Sequence, residues 1–223
     1  MNLPFTLTGE PPWLIVEFEA AQDTLGWSLT APGFVAARRI AWLEVRNADL
    51  TPDLDPVAWV HAKLAARGLE GALAFLTSRD IRRRHIAQTR VGETTASCVA
   101  TVGLSNGAHV GQRARGGVGT INIFAHVSAP LSVGGFIEAL SIVAEARTAA
   151  IIATAPLRDG PLVTGTGTDC IIVAAPRGAP LARYAGLHTE IGQALGAAVY
   201  EAVREGAACW STDVAVGLTR IES

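Results

Sequence analysis

The chain has 223 residues, 49% of them hydrophobic and 17% charged, and 18 basic side chains against 20 acidic ones give a net charge of −2. That length suits one good-sized domain, and so low a charge content demands extensive burial, which excludes a disordered chain. The near-neutral balance argues against an electrostatic nucleic-acid binder, and no apolar run is long enough for a transmembrane helix.

In chain order, the first half reads as short strands and turns. Trp13–Glu19 and Arg38–Arg46 are apolar runs rich in β-formers. Pro52 and Pro56 introduce a helix, VAWVHAKLAARG, with Trp59, Lys63 and Ala66 a turn apart and Gly68 as its stop. GALAFLTS returns to a strand. The basic run Arg79–His85 reads as a solvated surface. TTASCVATVGLS and GTINIFAHVSAP form two more strands, joined by a loop rich in glycine and arginine.

After Pro130 the pattern changes period. Phe136, Leu140, Val143, Arg147 and Ala150 share one stripe, which predicts an amphipathic helix of about six turns. LVTGTGTDCIIVAAP is a glycine turn feeding a buried strand. Ile191, Leu195, Ala198, Val199 and Ala202 then repeat the helical stripe. Strands, long helix, strand and long helix predict an α+β fold, a layered α/β sandwich forming one domain over residues 1–223.

Several chemistries are disfavoured by counts. Cys98, Cys170 and Cys209 are an odd number without a CxxC pair, which fits buried thiols in a reducing compartment. Lys63 is the only lysine, and it stands beside no partner motif. HExxH, HxH and G-x-S-x-G are missing, so no metal ligand set is expected. The N-terminal MNLPFTLTGEPPW lacks the basic and apolar regions of a cleaved signal, so a cytoplasmic location with no membrane partner is expected.

Four polar clusters interrupt the apolar elements: Gly103–His109 with Asn106, Gly116–Asn122 with Thr120 and Asn122, Thr164–Asp169, and Leu187–Glu190. Strand ends and helix starts are where such folds place sites. TGTGTD has three readings: a phosphate cradle, a tight turn, or a substrate-facing loop. In the last, Gly165 and Gly167 expose backbone while Thr166, Thr168 and Asp169 offer hydroxyl and carboxylate groups. His188 falls on the stripe at a helix start, where the dipole favours neutral imidazole, so it reads either as a base or as a packing group. His109 is a weaker candidate, and His61, His85 and His126 read as structural or surface groups. Glu145 reads as part of a solvated face or as a carboxylate turned into a cleft.

Taken together, TVGLSN, GTINI, EARTAA, TGTGTDCIIV and GLHTEIGQALGAAVYEAV resemble, in order and spacing, the adenosylcobinamide amidohydrolases of corrinoid salvage. The resemblance runs from about Thr95 to Val203. It implies hydrolysis of the amide joining the corrin ring to aminopropanol, giving adenosylcobyric acid and 1-amino-2-propanol. It implies a corrinoid substrate that carries its own cobalt, and no cofactor; a homo-oligomer is compatible with it. Under it, Asp169, His188 and Glu145 are the base candidates. Asn106, Asn122, Thr120 and the TGTGTD backbone are donors, and Glu190 joins the substrate-binding set. One position departs from the pattern: Arg147 stands where lysine is expected, keeping the charge but not the point-like ammonium. The alternatives are a corrinoid-binding module without catalysis and a self-processing aminopeptidase-like hydrolase. The second comes from a further resemblance, of GTINI, an AP turn, a long helix and a Gly-rich strand, to the β-aminopeptidases and ornithine acetyltransferases. It implies an αββα sandwich; no processing site in that family's setting is present, and self-cleavage is not predicted. A final expectation is that Asp169 and His188 meet at one edge of the sheet.

Overall fold

A computed structural model describes residues 1–51, 53–113, 119–154 and 162–218; Pro52 and residues 116–118 of the glycine cluster lie outside these. The strands are β1 (Thr6–Glu10), β2 (Trp13–Gly26), β3 (Gly33–Glu44), β4 (Leu73–Thr77), β5 (Arg84–Val91), β6 (Thr94–Val102), β7 (Gly107–Ala108), β8 (Ile121–Val127), β9 (Gly165–Thr166) and β10 (Cys170–Ala175). The helices are α1 (Pro56–Ala66), α2 (Val133–Thr154) and α3 (Glu190–Ala215). One sheet runs β4-β3-β2-β10-β8-β6-β5, with β1 also on β2, and β7 pairs with β9 apart from it.

The sheet folds over at β2. This strand pairs with β3 up to Glu17, the register shifts before Gln22, and Gln22–Gly26 then resumes pairing with β3 while Asp23–Gly26 also pairs with β10. A bulge bends and twists a strand, so β2 passes from one sheet layer into the other. Alternation along each strand then builds separate cores. Ile121, Ile123, Ala125 and Val127 of β8 face α2 and α3, together with Ala96, Cys98 and Ala100 of β6. Phe124 points the opposite way, to meet Leu14, Val16, Ile40, Trp42 and Phe75 between the two sheet layers. Ala41, Leu43 and Ala74 cover Val60 and Leu64 of α1. The order of layers is therefore α1, sheet, sheet, α2 with α3, the αββα sandwich.

Capping agrees with the local chemistry. The Asp55 carboxylate accepts from the Val57 and Ala58 amides at the start of α1, and Pro56 occupies its first turn. The partly buried Trp59 and exposed Lys63 make a cation–π contact at 5.1 Å, and the fully buried residues of α1 are Val60 and Leu64. Thr189 caps α3 by accepting from the Gly192 amide.

The basic run Arg79–His85 is not the solvated surface expected of it. Arg79 is 6% exposed and pairs with Asp213 of α3 at 2.5 Å, and Arg83 meets the same carboxylate at 3.0 Å. Ile81 is buried, and Arg84 opens β5, a strand the sequence reading missed. β5 is the edge strand beyond β6, reached through a tight turn at Gly92 with φ +54. Edge strands tolerate charged side chains, which hides their alternation. Among the described residues, no helix is long and apolar enough to cross a membrane.

Candidate active site

β8 and β10 are parallel neighbours joined through α2. Parallel pairing needs such a crossover, and it returns the chain to the end where β8 began. Three polar clusters and the C-terminal half of α2 therefore gather at one edge of the sheet.

That edge holds a cavity of about 550 Å³ between the two sheet layers. One wall is apolar, made by Trp27, Leu29, Leu50, Phe75 and Leu76. The other is polar, made by Gly119, Thr120, Gly167, Thr168, Asp169 and Cys170. A volume of this order takes a small ligand or one arm of a larger one.

The polar wall is stitched by reciprocal bonds. The Thr120 hydroxyl donates to the Thr168 carbonyl at 2.7 Å, and the Thr168 hydroxyl donates to the Gly119 carbonyl at 3.1 Å. Behind them Asn122, fully buried, donates its amide to the Leu76 carbonyl at 2.7 Å and so ties β8 to β4 across the sheet layers. Gly119 leaves no room for a side chain: a Cβ there falls 2.9 Å from the Ser105 and Asn106 amide nitrogens. Asn106 is buried against this loop and is not part of the cavity lining.

Asp169 is bound on all sides. Arg147 of α2 pairs with it, the Thr166 amide donates at 3.1 Å, and the Ile121 amide at the start of β8 donates at 3.2 Å. The Thr166 hydroxyl donates to the same carboxylate at 2.5 Å. Gly165 fits beneath the pair because it has no Cβ; one would fall 2.2 Å from Arg147 Nη1 and 2.5 Å from Asp169 Oδ2. TGTGTD is thus a tight turn whose exposed part, Gly167 and Thr168, faces the cavity. Burial pulls the Arg147 guanidinium below the usual arginine value.

Cys170 lines the cavity and was missed as a site residue in the sequence. Its thiol is pushed up to about 11 by burial, against a smaller opposing hydrogen bond with Trp27, so it stays protonated near neutrality. The signal available was the alternation of β10, which turns Cys170 and Ile172 to the same inner core.

Three expected members lie elsewhere. His188 is exposed and precedes α3, whose first residue, Glu190, receives the Glu93 amide at the β5–β6 turn. Asp169 instead contacts Ile121, which pairs with Val102 at the other end of β6. The nine residues of β6 separate the two by roughly 25 Å. The expectation that Asp169 and His188 share an edge is therefore corrected. A helix returning from a strand starts at the strand's C-terminal end, and Asp169 stands at its N-terminal end. Glu190 serves the β5–β6 turn, and Glu145 faces an outer groove between α2 and α3 with Leu187 and Tyr200. His188→Ala is accordingly expected to keep turnover within about twofold of the parent chain, measured under saturating substrate; a hundredfold loss would restore it to the site.

The chain matches the adenosylcobinamide amidohydrolase family over residues 5–215. It belongs to that family. An adenosylcobinamide amidohydrolase of Halobacterium salinarum is 32% identical over 158 residues, a match spanning 66% of this chain and 64% of that protein. Among solved structures, a Burkholderia sp. β-aminopeptidase is 12% identical with a TM-score of 0.45, covering 89% of this chain and 78% of that one. An Ochrobactrum anthropi L-aminopeptidase D-Ala-esterase/amidase is 11% identical with a TM-score of 0.38, covering 91% and 82%. Of the polar clusters singled out in the sequence, those at Thr120 and Gly167–Asp169 line the cavity, with Asn106 buried behind Gly119 and Arg147 behind Asp169. The cluster at His188 lies at the opposite end of the strands, beside the β5–β6 turn.

Proposed function

We propose that this chain hydrolyses the amide that links the corrin ring of adenosylcobinamide to aminopropanol, with adenosylcobyric acid and 1-amino-2-propanol as products, in corrinoid salvage. The observation that carries this reading is the family match over residues 5–215 in a chain whose cavity has one apolar wall and one polar wall at Thr120 and Gly167–Cys170. A corrinoid is far larger than this cavity, so its amide-linked arm enters while the ring stays at the mouth. The arm is uncharged, which suits a wall of Thr hydroxyls and backbone groups. Among the described lining residues the titratable groups are Asp169 and Cys170. The thiol is protonated and the carboxylate is compensated by Arg147.

Hydrolysis breaks the C–N bond, placing the hydroxyl of water on the acyl carbon and its proton on the leaving amine. The Thr120 and Thr168 hydroxyls give their protons to the Thr168 and Gly119 carbonyls, so they orient the arm by accepting from its amide N–H, while Phe75, Leu76 and Trp27 exclude bulk water. Incubation with adenosylcobinamide followed by mass spectrometry tests this. Release of 1-amino-2-propanol is expected; intact substrate that co-elutes with folded protein would instead identify a binding module. Turnover is also expected to survive dialysis against a strong chelator, because the Asp169 oxygens are already taken by Arg147, Thr166 and Ile121. Loss on chelation, with recovery on adding zinc alone, would contradict this.

A further inference from the structure

We propose that Arg147 and Asp169 act as one positioning unit that sets the Gly167–Thr168 wall of the cavity against Thr120, a role that rests on the amidohydrolase reading. Asp169 does not serve as the proton acceptor for the substrate. Its oxygens already receive the Arg147 guanidinium, the Thr166 amide and hydroxyl, and the Ile121 amide.

Those donors come from three separate pieces of chain. Arg147 belongs to α2, Ile121 opens β8, and Thr166 ends β9, just before β10. Two of these pieces lead directly into the cavity lining, and α2 braces it from behind through Arg147. Thr120 precedes Ile121 directly, and Thr168 precedes Asp169 directly. The two hydroxyl–carbonyl bonds between Thr120, Thr168 and Gly119 therefore have their geometry set from below by the Asp169 carboxylate.

The charges explain why a pair is used rather than a neutral amide. The two side chains are 17% and 9% exposed. A lone carboxylate buried to that degree is costly, whereas a carboxylate with an opposite charge and three further donors is held in place. Gly165 completes the unit, since the guanidinium crosses where its Cβ would be. The motif residues Arg147, Gly165 and Asp169 thus answer to one another physically, although 22 residues separate the first from the last.

A positioning role predicts a loss in turnover with little change in substrate capture, because misplacing reacting groups by about an ångström costs on the order of a hundredfold. The test uses the full chain with adenosylcobinamide and measures kcat, KM and thermal midpoint for Arg147→Met, Arg147→Lys, Asp169→Asn and the Arg147→Met/Asp169→Asn double variant. Both single neutral variants are expected to lose about a hundredfold or more in kcat with KM within about threefold. Arg147→Lys should recover to within about tenfold of the parent, since it restores the charge. The double variant should be no worse than the poorer single, as for groups that act as a unit.

Gly165→Ala covers the case in which the neutral variants do not fold. It keeps both charges and inserts a methyl between them, so kcat should again fall with KM held. Parent-like kcat in folded Gly165→Ala or Arg147→Met overturns the proposal, as does a double-variant loss equal to the product of the two singles. A loss that vanishes when rates are corrected for folded protein also overturns it. If the parent chain itself releases no 1-amino-2-propanol, the amidohydrolase reading fails and takes the pair's role with it; parent turnover with unaffected variants sinks the pair alone.

Discussion

Replacing Asp213 by alanine is expected to cost about 3–5 kcal/mol of folding stability, the range typical of breaking a buried ion pair. Asp213 is 6% exposed at its side chain and receives Arg79 at 2.5 Å and Arg83 at 3.0 Å. Arg79 is equally buried, and its guanidinium cannot shed its charge at any ordinary pH. Removing the carboxylate leaves two guanidiniums facing a cavity, which adds repulsion to lost attraction. The pair as a whole contributes little beyond what an apolar replacement of both ends could supply; the loss comes from removing one end only. Its architectural effect is to pin the C-terminal part of α3 to the segment after β4. Arg79 also donates its backbone amide to the Thr77 hydroxyl, and Thr77 lines the cavity. Urea denaturation of the parent and Asp213→Ala, analysed only if both show the same m-value, measures the cost. A change below about 1 kcal/mol would show that the network is dispensable.

Folding stability is expected to fall as the pH drops from about 6.5 towards 4, with His126 responsible for about 3 kcal/mol of the change across that window. His126 lies between the sheet layers at 5% exposure, against the Phe18 ring with centroids 5.3 Å apart. Burial lowers its pKa to about 4, because the imidazolium loses its hydration there. Between the folded value and the ordinary value near 6.5, the unfolded chain binds a proton that the folded chain does not, so acid favours unfolding. The stability is fully present above about 6.5 and is lost as the pH approaches 4, at about 1.4 kcal/mol per pH unit. At pH 5 the parent chain should therefore have lost about 2 kcal/mol relative to pH 7 through this group. His126→Leu removes the titration and keeps the site apolar. Its stability should show a shallower slope over the same range, and parallel slopes for the two chains would refute the assignment.

Much of the secondary structure was legible because burial imposes a period. The stripe Phe136, Val143 and Ala150 on α2 is buried as its spacing demands, and so are Ile191, Leu195, Ala198, Val199 and Ala202 on α3. That same stripe placed Arg147 on the core-facing side of α2, where a charge needs a partner. β5 escaped notice because an edge strand with Arg84 and Arg90 carries too many polar side chains to display alternation. The run Arg79–Arg83 was misread for a related reason: a local charge count does not reveal a carboxylate that arrives from Asp213, more than a hundred residues later.

The candidate site divides along the same line. By itself the sequence singled out the clusters at Asn106, Thr120–Asn122 and Gly165–Asp169, since polar residues and glycines inside apolar runs are locally visible. It also determined the layered α+β class, because helix and strand periods are short-range properties. Only the tertiary structure decided that Asp169 pairs with Arg147 and not with His188. That choice depends on chain direction: β10 runs away from the cavity edge, so the chain beyond it, His188 included, starts at the far end, while the crossover helix α2 runs back towards that edge and brings Arg147 to Asp169. Likewise, the fold-over of the sheet at Glu17–Gln22 of β2 creates the apolar wall opposite Thr120 and Thr168. Contacts of this kind are set by how whole strands twist and stack, a long-range property that no local pattern of residues carries.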